Sequence, residues 1–210
     1  QVIAKLLKEK YPGHNEISPY QAVVSINQIK RLEEEFLMSG EIKNNNRSIN
    51  NIKNIIESFL KPMSLIKNLK NGYRLNIKPQ NNSLINEFFK NMEDGKTELK
   101  TIYWALRKGP FGLSRNQFKL LVLCLFYSGY LTPYSEHKKI ALVNLSIRNF
   151  SRVKYVDYGE IINNDFQKIL QSCSLLPPRF KDQPFSLPLQ QEIWDYIVKE
   201  KRDLKDRVQN

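Results

Sequence analysis

The chain has 210 residues, with 33 Lys and Arg against 21 Asp and Glu, a formal charge of +12, and 41% hydrophobic and 11% aromatic residues. That apolar share is ample for a packed core and excludes global disorder, while the densest apolar stretch, Leu120–Phe126, is far too short to span a membrane. The first residue is Gln1, so the sequence reads as part of a longer protein, and Gln1–Lys10, which lacks a long apolar run and a cleavage site, does not read as a signal peptide.

In chain order, Val2, Ile3, Leu6 and Leu7 predict a short helix stopped by Tyr11-Pro12-Gly13. Ser18-Pro19-Tyr20-Gln21 has the form of a capping box, with Pro at the first helical position. The helix behind it is expected to run to about Met38, with Ala22, Ile26, Ile29, Leu32 and Phe36 inward. After Ser48, Ile49, Ile52, Ile55, Ile56, Phe59 and Leu60 form the cleanest helical stripe, ended by Pro62. Gly72–Ile77 alternates apolar and polar residues as a short strand, closed by Pro79.

Leu84, Ile85, Phe88, Phe89 and Met92 mark another helix, followed by an Asp94-Gly95 turn. Asp94-Gly95-Lys96-Thr97 has the ending of a phosphate-binding loop, but Lys90 stands where the first glycine is required, so Thr97 reads as the cap of a helix that ends at Arg107 and Lys108. Gly109-Pro110-Phe111-Gly112 turns the chain sharply, and Ser114-Arg115-Asn116-Gln117 is a second capping box. The helix from about Arg115 to Tyr127 is apolar nearly all round, which places it at the centre of a domain. Tyr130–Thr132 and Ile140–Val143 are expected to pair as a hairpin around Glu136–Lys139, so that helix, tight turn, helix and hairpin give a winged-helix skeleton.

Phe166, Ile169, Leu170 and Cys173 fit a short helix, and Pro177, Pro178 and Pro184 then break the pattern. A last helix is expected from Pro188, with Leu189, Ile193, Trp194, Ile197 and Leu204 on its apolar side, supported by Asp195 with Lys199 and Asp203 with Arg207 and continuing in the parent protein. No internal repeat is visible in the sequence. The fold class expected is mainly α (α+β): a helical region with one short strand over 1–96, a winged-helix-like core over 97–150, and a helical extension over 151–210.

The excess charge is localised. From Arg107 to Lys154 nine basic residues stand against Glu136 alone, a net +8, while the remaining residues are nearly balanced. Arg115 and Lys119 at the start of the central helix, with Lys138 and Lys139 at the hairpin tip, are the candidate contacts to the phosphates of double-stranded DNA. The rest of that helix is too apolar to read bases in a major groove, and a basic but structural winged helix explains the same charges. Tyr127, Tyr130 and Tyr134 suit half-buried strand and core positions better than base stacking. The six Asn between Asn44 and Asn54 read as base-composition bias and a polar loop.

Catalytic chemistry has no foothold. His14 and His137 lie far from any nucleophile or carboxylate pair, the two Cys and two His lack zinc spacing, and Glu33, Glu34 and Glu35 read as a solvated helix face. Neither a metal nor a cofactor is expected. Cys124 inside its apolar run and Cys173 read as reduced thiols of a cytosolic protein.

Lys108-Gly109-Pro110-Phe111-Gly112-Leu113-Ser114, followed by the apolar helix and Ser128-Gly129-Tyr130-Leu131, resembles a segment of the large bacterial ATPases of BREX-type and related phage-defence systems. It is similar there to a helical, winged-helix-like region beyond the AAA-type ATPase module, and Leu6–His14 and the charged helix after Pro188 are compatible with the same region. The resemblance implies a cytoplasmic bacterial machine with DNA and partner subunits close by. With no Walker motif in the chain, it implies that ATP chemistry belongs to other domains of the parent. The function expected is thus a non-enzymatic accessory module that contacts DNA backbone or a partner subunit. The alternative is a purely structural or protein-interaction module.

Overall fold

Side-chain caps decide where the helices of this computed structural model begin; it describes residues 5–6, 9–15, 24–43, 49–79, 82–93, 95–136, 138–159, 172–181, 192–194 and 196–203. Ser25 Oγ accepts from the Gln28 N–H (3.2 Å) while Gln28 Oε1 accepts from the Ser25 N–H (2.9 Å), a reciprocal capping box. Helix α1 therefore starts at Ile26 and runs Ile26–Leu32 before widening into a π turn, Glu33–Leu37. The expected continuous helix from Pro19 is corrected here: Ser25 is extended, because a second S-x-x-Q sequence inside the expected span caps a helix of its own. The Ser18–Gln21 box and Ala22 lie outside the described residues.

Strand β1 (Glu41–Lys43) follows, then helix α2 (Ile49–Ile55), which also ends in a π turn, Ile56–Leu60. Strands β2 (Ile66–Leu69) and β3 (Gly72–Leu75) form a hairpin, and β1 joins on the far side of β3, giving the order β1-β3-β2, all antiparallel. Gly72 makes this possible: its φ is +150°, and a Cβ there would stand 2.0 Å from the Ile42 carbonyl oxygen. Only β3 of these strands was marked by alternation. The apolar stripe of α2 is buried from Ile49 to Leu60.

A second unit follows. Helix α3 (Ser83–Lys90), capped by Asn82, leads to β4 (Thr97–Glu98), α4 (Leu99–Lys108), α5 (Arg115–Tyr127), β5 (Leu131–Tyr134) and β6 (Tyr155–Tyr158), with sheet order β4-β6-β5. In both units the first strand pairs with the third, and the third with the second. The two units share this strand order, but the second has two helices between its first and second strands where the described residues of the first have one. Thr97 is not the cap of α4: it is the first residue of β4, buried, and its Oγ1 accepts from the Glu93 N–H at 2.8 Å.

The expected hairpin partner is also corrected. β5 pairs along its length with Tyr155–Tyr158; of Ile140–Val143 only Ile140 reaches it, its N–H donating to the Pro133 carbonyl oxygen at 2.8 Å beside the Tyr134–Lys139 bridge, and Leu142–Asn144 forms a 3-10 turn. Val156 is completely buried while Val143 is 81% exposed, so the alternating Tyr-Val-Asp-Tyr segment satisfies the period of a half-buried strand better than the continuous apolar run did. The wing between β5 and β6 consequently extends over 135–154 and includes a second 3-10 turn, Ile147–Arg152.

The two units share one core. α1 lies across α5 and the 147–152 turn, and every residue of α5 from Leu120 to Tyr127 is buried. Asn116 Nδ2 donates to the Val24 carbonyl oxygen at 2.7 Å, and Phe88 stacks on Phe118 with ring centroids 6.1 Å apart. Glu33, expected in solvent, is 2% exposed. Its Oε1 accepts from Tyr127 Oη–H (2.9 Å) and its Oε2 from the Ile147 N–H (3.0 Å), tying α1, the end of α5 and the wing together. Burial holds its carboxyl above the ordinary carboxylate range against the pull of those two donors, and burial likewise lifts the Tyr127 hydroxyl well above the usual tyrosine range.

Farther on, Leu176, Phe180 and Ile193 form a small separate cluster in which helix α6 (Pro178–Lys181) meets the helical residues near 193. Trp194 and Ile197, expected on the apolar side, are 61% and 45% exposed. Leu189, Leu204 and the pairs Asp195–Lys199 and Asp203–Arg207 lie outside the described residues, wholly or through one partner, as does most of the Phe166–Cys173 helix. No helix among the described residues is long and apolar enough to cross a membrane.

Replacing Glu33 by Ala strands the Ile147 N–H and leaves the Tyr127 hydroxyl only its longer bond to the Leu145 carbonyl oxygen (3.4 Å); it is expected to cost about 1–3 kcal/mol, read from the urea unfolding midpoint. Because the native pKa of Glu33 is raised, its contribution to stability is full below the ordinary carboxylate value of 4.5 and is lost as pH rises through the native pKa. Glu33→Gln is therefore expected to remove that part of the fall in stability above pH 4.5, measured by unfolding the two proteins side by side from pH 4 to 8.

Candidate nucleic-acid interface

The second unit has the order helix, strand, helix, helix, strand, wing, strand, so α5 stands where a winged helix carries its recognition helix. Its sequence makes it a poor reader of bases. Phe118 and all residues from Leu120 onward are buried, Asn116 is engaged by Val24, and Gln117 closes the cap on Ser114 (Gln117 Oε1 to Ser114 N–H, 2.9 Å). What remains accessible is the first turn, with Arg115 exposed and Lys119 half-buried.

Lys119 is held by packing as much as by charge. Its ammonium lies 5.9 Å from the centroid of the Phe150 ring, in the 147–152 turn of the wing. Burial, and secondarily the neighbouring Arg115, keeps its pKa below the usual lysine range. Arg115 and Lys119 are thus brought together one helical turn apart, against the wing.

On the other side of that turn, Lys138, Arg152 and Lys154 line an open groove together with Ser135, Asn149 and the single acid Glu136. The groove is floored by the tip of the wing: Ser135 Oγ accepts from the Lys138 N–H, and Lys139 bridges back to Tyr134. Lys138 and Lys139 are exposed. Among the described residues, none of Arg115, Lys119, Lys138, Lys139, Arg152 and Lys154 has an acidic partner within ion-pair distance. The 147–152 turn thus meets Lys119 through Phe150 and contributes Arg152 to the groove that Lys138 and Lys154 also line. Lys139 stands at the tip and is not part of the groove lining.

Arg152 and Lys154 were missed as site residues. The signal for them was the Tyr155–Tyr158 alternation, which marks β6 and turns everything between it and β5 into wing. The three candidate tyrosines are occupied elsewhere: Tyr127 bonds Glu33, Tyr130 Oη donates to the Ile77 carbonyl oxygen at 2.9 Å, and Tyr134 lies beneath the Lys96 ammonium at 4.2 Å.

For catalysis or metal binding the side chains do not converge. Among the described residues no three His, Cys, Asp or Glu side chains are grouped to hold a metal ion; the Glu33 carboxyl is taken up by Tyr127 and Ile147, and Glu35, two residues on, has one buried oxygen. Cys124 is fully buried, and burial raises its thiol far above the thiolate range. The His14 side chain and His137 lie outside the described residues. Compared with family models, curated proteins and solved structures, the chain matches none of them.

Proposed function

We propose that this chain is a non-enzymatic, DNA-contacting module of a larger bacterial ATPase, of the cytoplasmic phage-defence kind that its Gly-Pro-Phe-Gly-Leu-Ser motif resembles. The second unit rests on the phosphates of double-stranded DNA through its wing and the first turn of α5. One observation carries the reading: Lys138, Arg152 and Lys154 line one groove of the wing, Lys119 beside Arg115 on α5 reaches the same wing at Phe150, and none of them has an acidic partner among the described residues. Cations left unpaired on one face suit a polyanion, and their rigid support by the wing suits a fixed phosphate spacing. Because α5 is covered, this contact positions the duplex without reading it.

A second reading, that the chain is a structural or protein-interaction module, draws on Trp194, Ile197 and Val198, exposed at i, i+3 and i+4 on the last helix. It predicts concentration-dependent association, lost on truncation after Pro188 and seen by sedimentation velocity.

For the DNA reading the test is fluorescence anisotropy of a labelled duplex across a salt series. The chain is expected to bind with a steep negative dependence of log affinity on log salt. Replacing Arg115, Lys138, Arg152 and Lys154 together by Ala is expected to flatten the slope by about 3–4, since each lost phosphate contact accounts for about 0.9. An unchanged slope in that variant, or no binding at low salt, overturns the assignment.

A further inference from the structure

The first unit also has a helix directly ahead of its hairpin, and this one is open. Among the described residues α2 alone stands between β1 and β2, where the second unit has both α4 and α5; like α5 it immediately precedes the second strand of its sheet, and the short β2–β3 turn stands where the second unit has its long wing. The two helices differ in what they expose. α5 is buried throughout beyond its first turn, whereas α2 buries one stripe, Ile49, Ile52, Ile55, Ile56, Phe59 and Leu60, and leaves the other to solvent.

That free stripe carries Asn50, Asn51, Lys53 and Asn54, all exposed and without a hydrogen bond to any other described residue. An Asn amide offers a donor and an acceptor side by side, the pair that matches N6 and N7 of adenine in a major groove. Asn50 and Asn54 are one turn apart, about 6 Å along the helix axis, close to two base-pair steps of about 3.4 Å each. The β2–β3 hairpin that follows α2 adds the exposed cations Lys67, in β2, and Lys70, in the turn. The acids here are already neutralised: Glu57 pairs with Lys61 at 2.9 Å and accepts from Tyr73 Oη at 2.8 Å, and Glu41 pairs with Arg74 at 2.7 Å.

The geometry points to α2 as the base-reading helix of this chain. It lies in the major groove of duplex DNA with Asn50, Asn51 and Asn54 directed at adenines of an A·T-containing site, while Lys67 and Lys70 on the β2–β3 hairpin meet the adjoining phosphates. This rests on the DNA-contact reading above and adds to it a sequence preference, supplied by the first unit while the second holds the backbone.

The test is selection of bound duplexes from a randomised library with the 210-residue chain, followed by anisotropy on the selected site and on a G·C-only duplex. The expected result is an enriched A·T-containing motif. Substituting Asn50, Asn51 and Asn54 together by Ala is expected to weaken binding to the selected site by about tenfold for each amide pair lost, bringing it to the affinity of the G·C duplex. The salt slope should stay as it was. These are exposed positions on a helix where Ala is a better helix former than Asn, so the variant keeps its fold. Lys67→Ala with Lys70→Ala is expected to do the reverse, flattening the slope by about 2 and keeping the preference. Binding with a normal salt slope but no enriched motif, or a motif that survives the triple Asn substitution, overturns this inference and leaves the backbone reading standing. Absence of duplex binding at low salt overturns both.

Discussion

The contact on which the architecture turns is the buried carboxylate of Glu33. A carboxyl group with 2% exposure is expensive to bury, and it is tolerated here because both oxygens are met, one by the Tyr127 hydroxyl and one by the Ile147 N–H. The acceptor and its two donors belong to three places distant in sequence: the first helix, the end of the central helix and the wing of the second unit. Neither unit satisfies the group alone. The carboxylate therefore fixes their relative placement in a way that apolar contacts, which tolerate sliding, do not.

The local cause is the π turn at the end of α1. Widening the last turn brings Glu33, Phe36 and Leu37 inward together. Phe36 and Leu37 enter the common core, and Glu33 arrives at the one point where α5 and the wing present unpaired donors. α5 in turn needs no polar face, because α1 covers what a solitary recognition helix would leave open. Its near-uniform hydrophobicity, the strongest feature of the sequence, is thus a consequence of how the two units are stacked.

Much of this is legible in the residues. The α2 stripe, the Ser114 capping box, the burial of α5 and the mainly α fold with small sheets follow from period and caps, since these are local rules. What escaped is pairing. Glu41–Lys43, Ile66–Leu69 and Thr97–Glu98 are too short to show alternation, and they become strands because β3 and β6 offer them backbone partners across the fold. The apolar run Ile140–Val143 misled because it resembles a buried strand, whereas Tyr155–Tyr158 carries the true period. The same error narrowed the candidate surface: with the wing cut short, Arg152 and Lys154, which line the same groove as Lys138, were not among the candidates. Glu33 was misplaced because a run of three acids has no internal mark of which one turns inward.

The fold changes what the Asn-rich stretch means. Read along the chain, Asn50, Asn51 and Asn54 are polar filler beside a loop. Placed on the fold, they are the free stripe of a helix that buries only one side, where α5 in the other unit is sealed beneath α1. α5 is covered all round beyond its first turn and α2 on one stripe only, and the side chains follow that asymmetry: hydrocarbon where the helix is covered, amides and an ammonium where it is not. Exposed cations stand in both units, at Lys67 and Lys70 on the β2–β3 hairpin and at Lys138, Arg152 and Lys154 along the wing. Two units of like strand order thus carry different surfaces, and the proposed division, backbone contact by one and base contact by the other, rests on that difference.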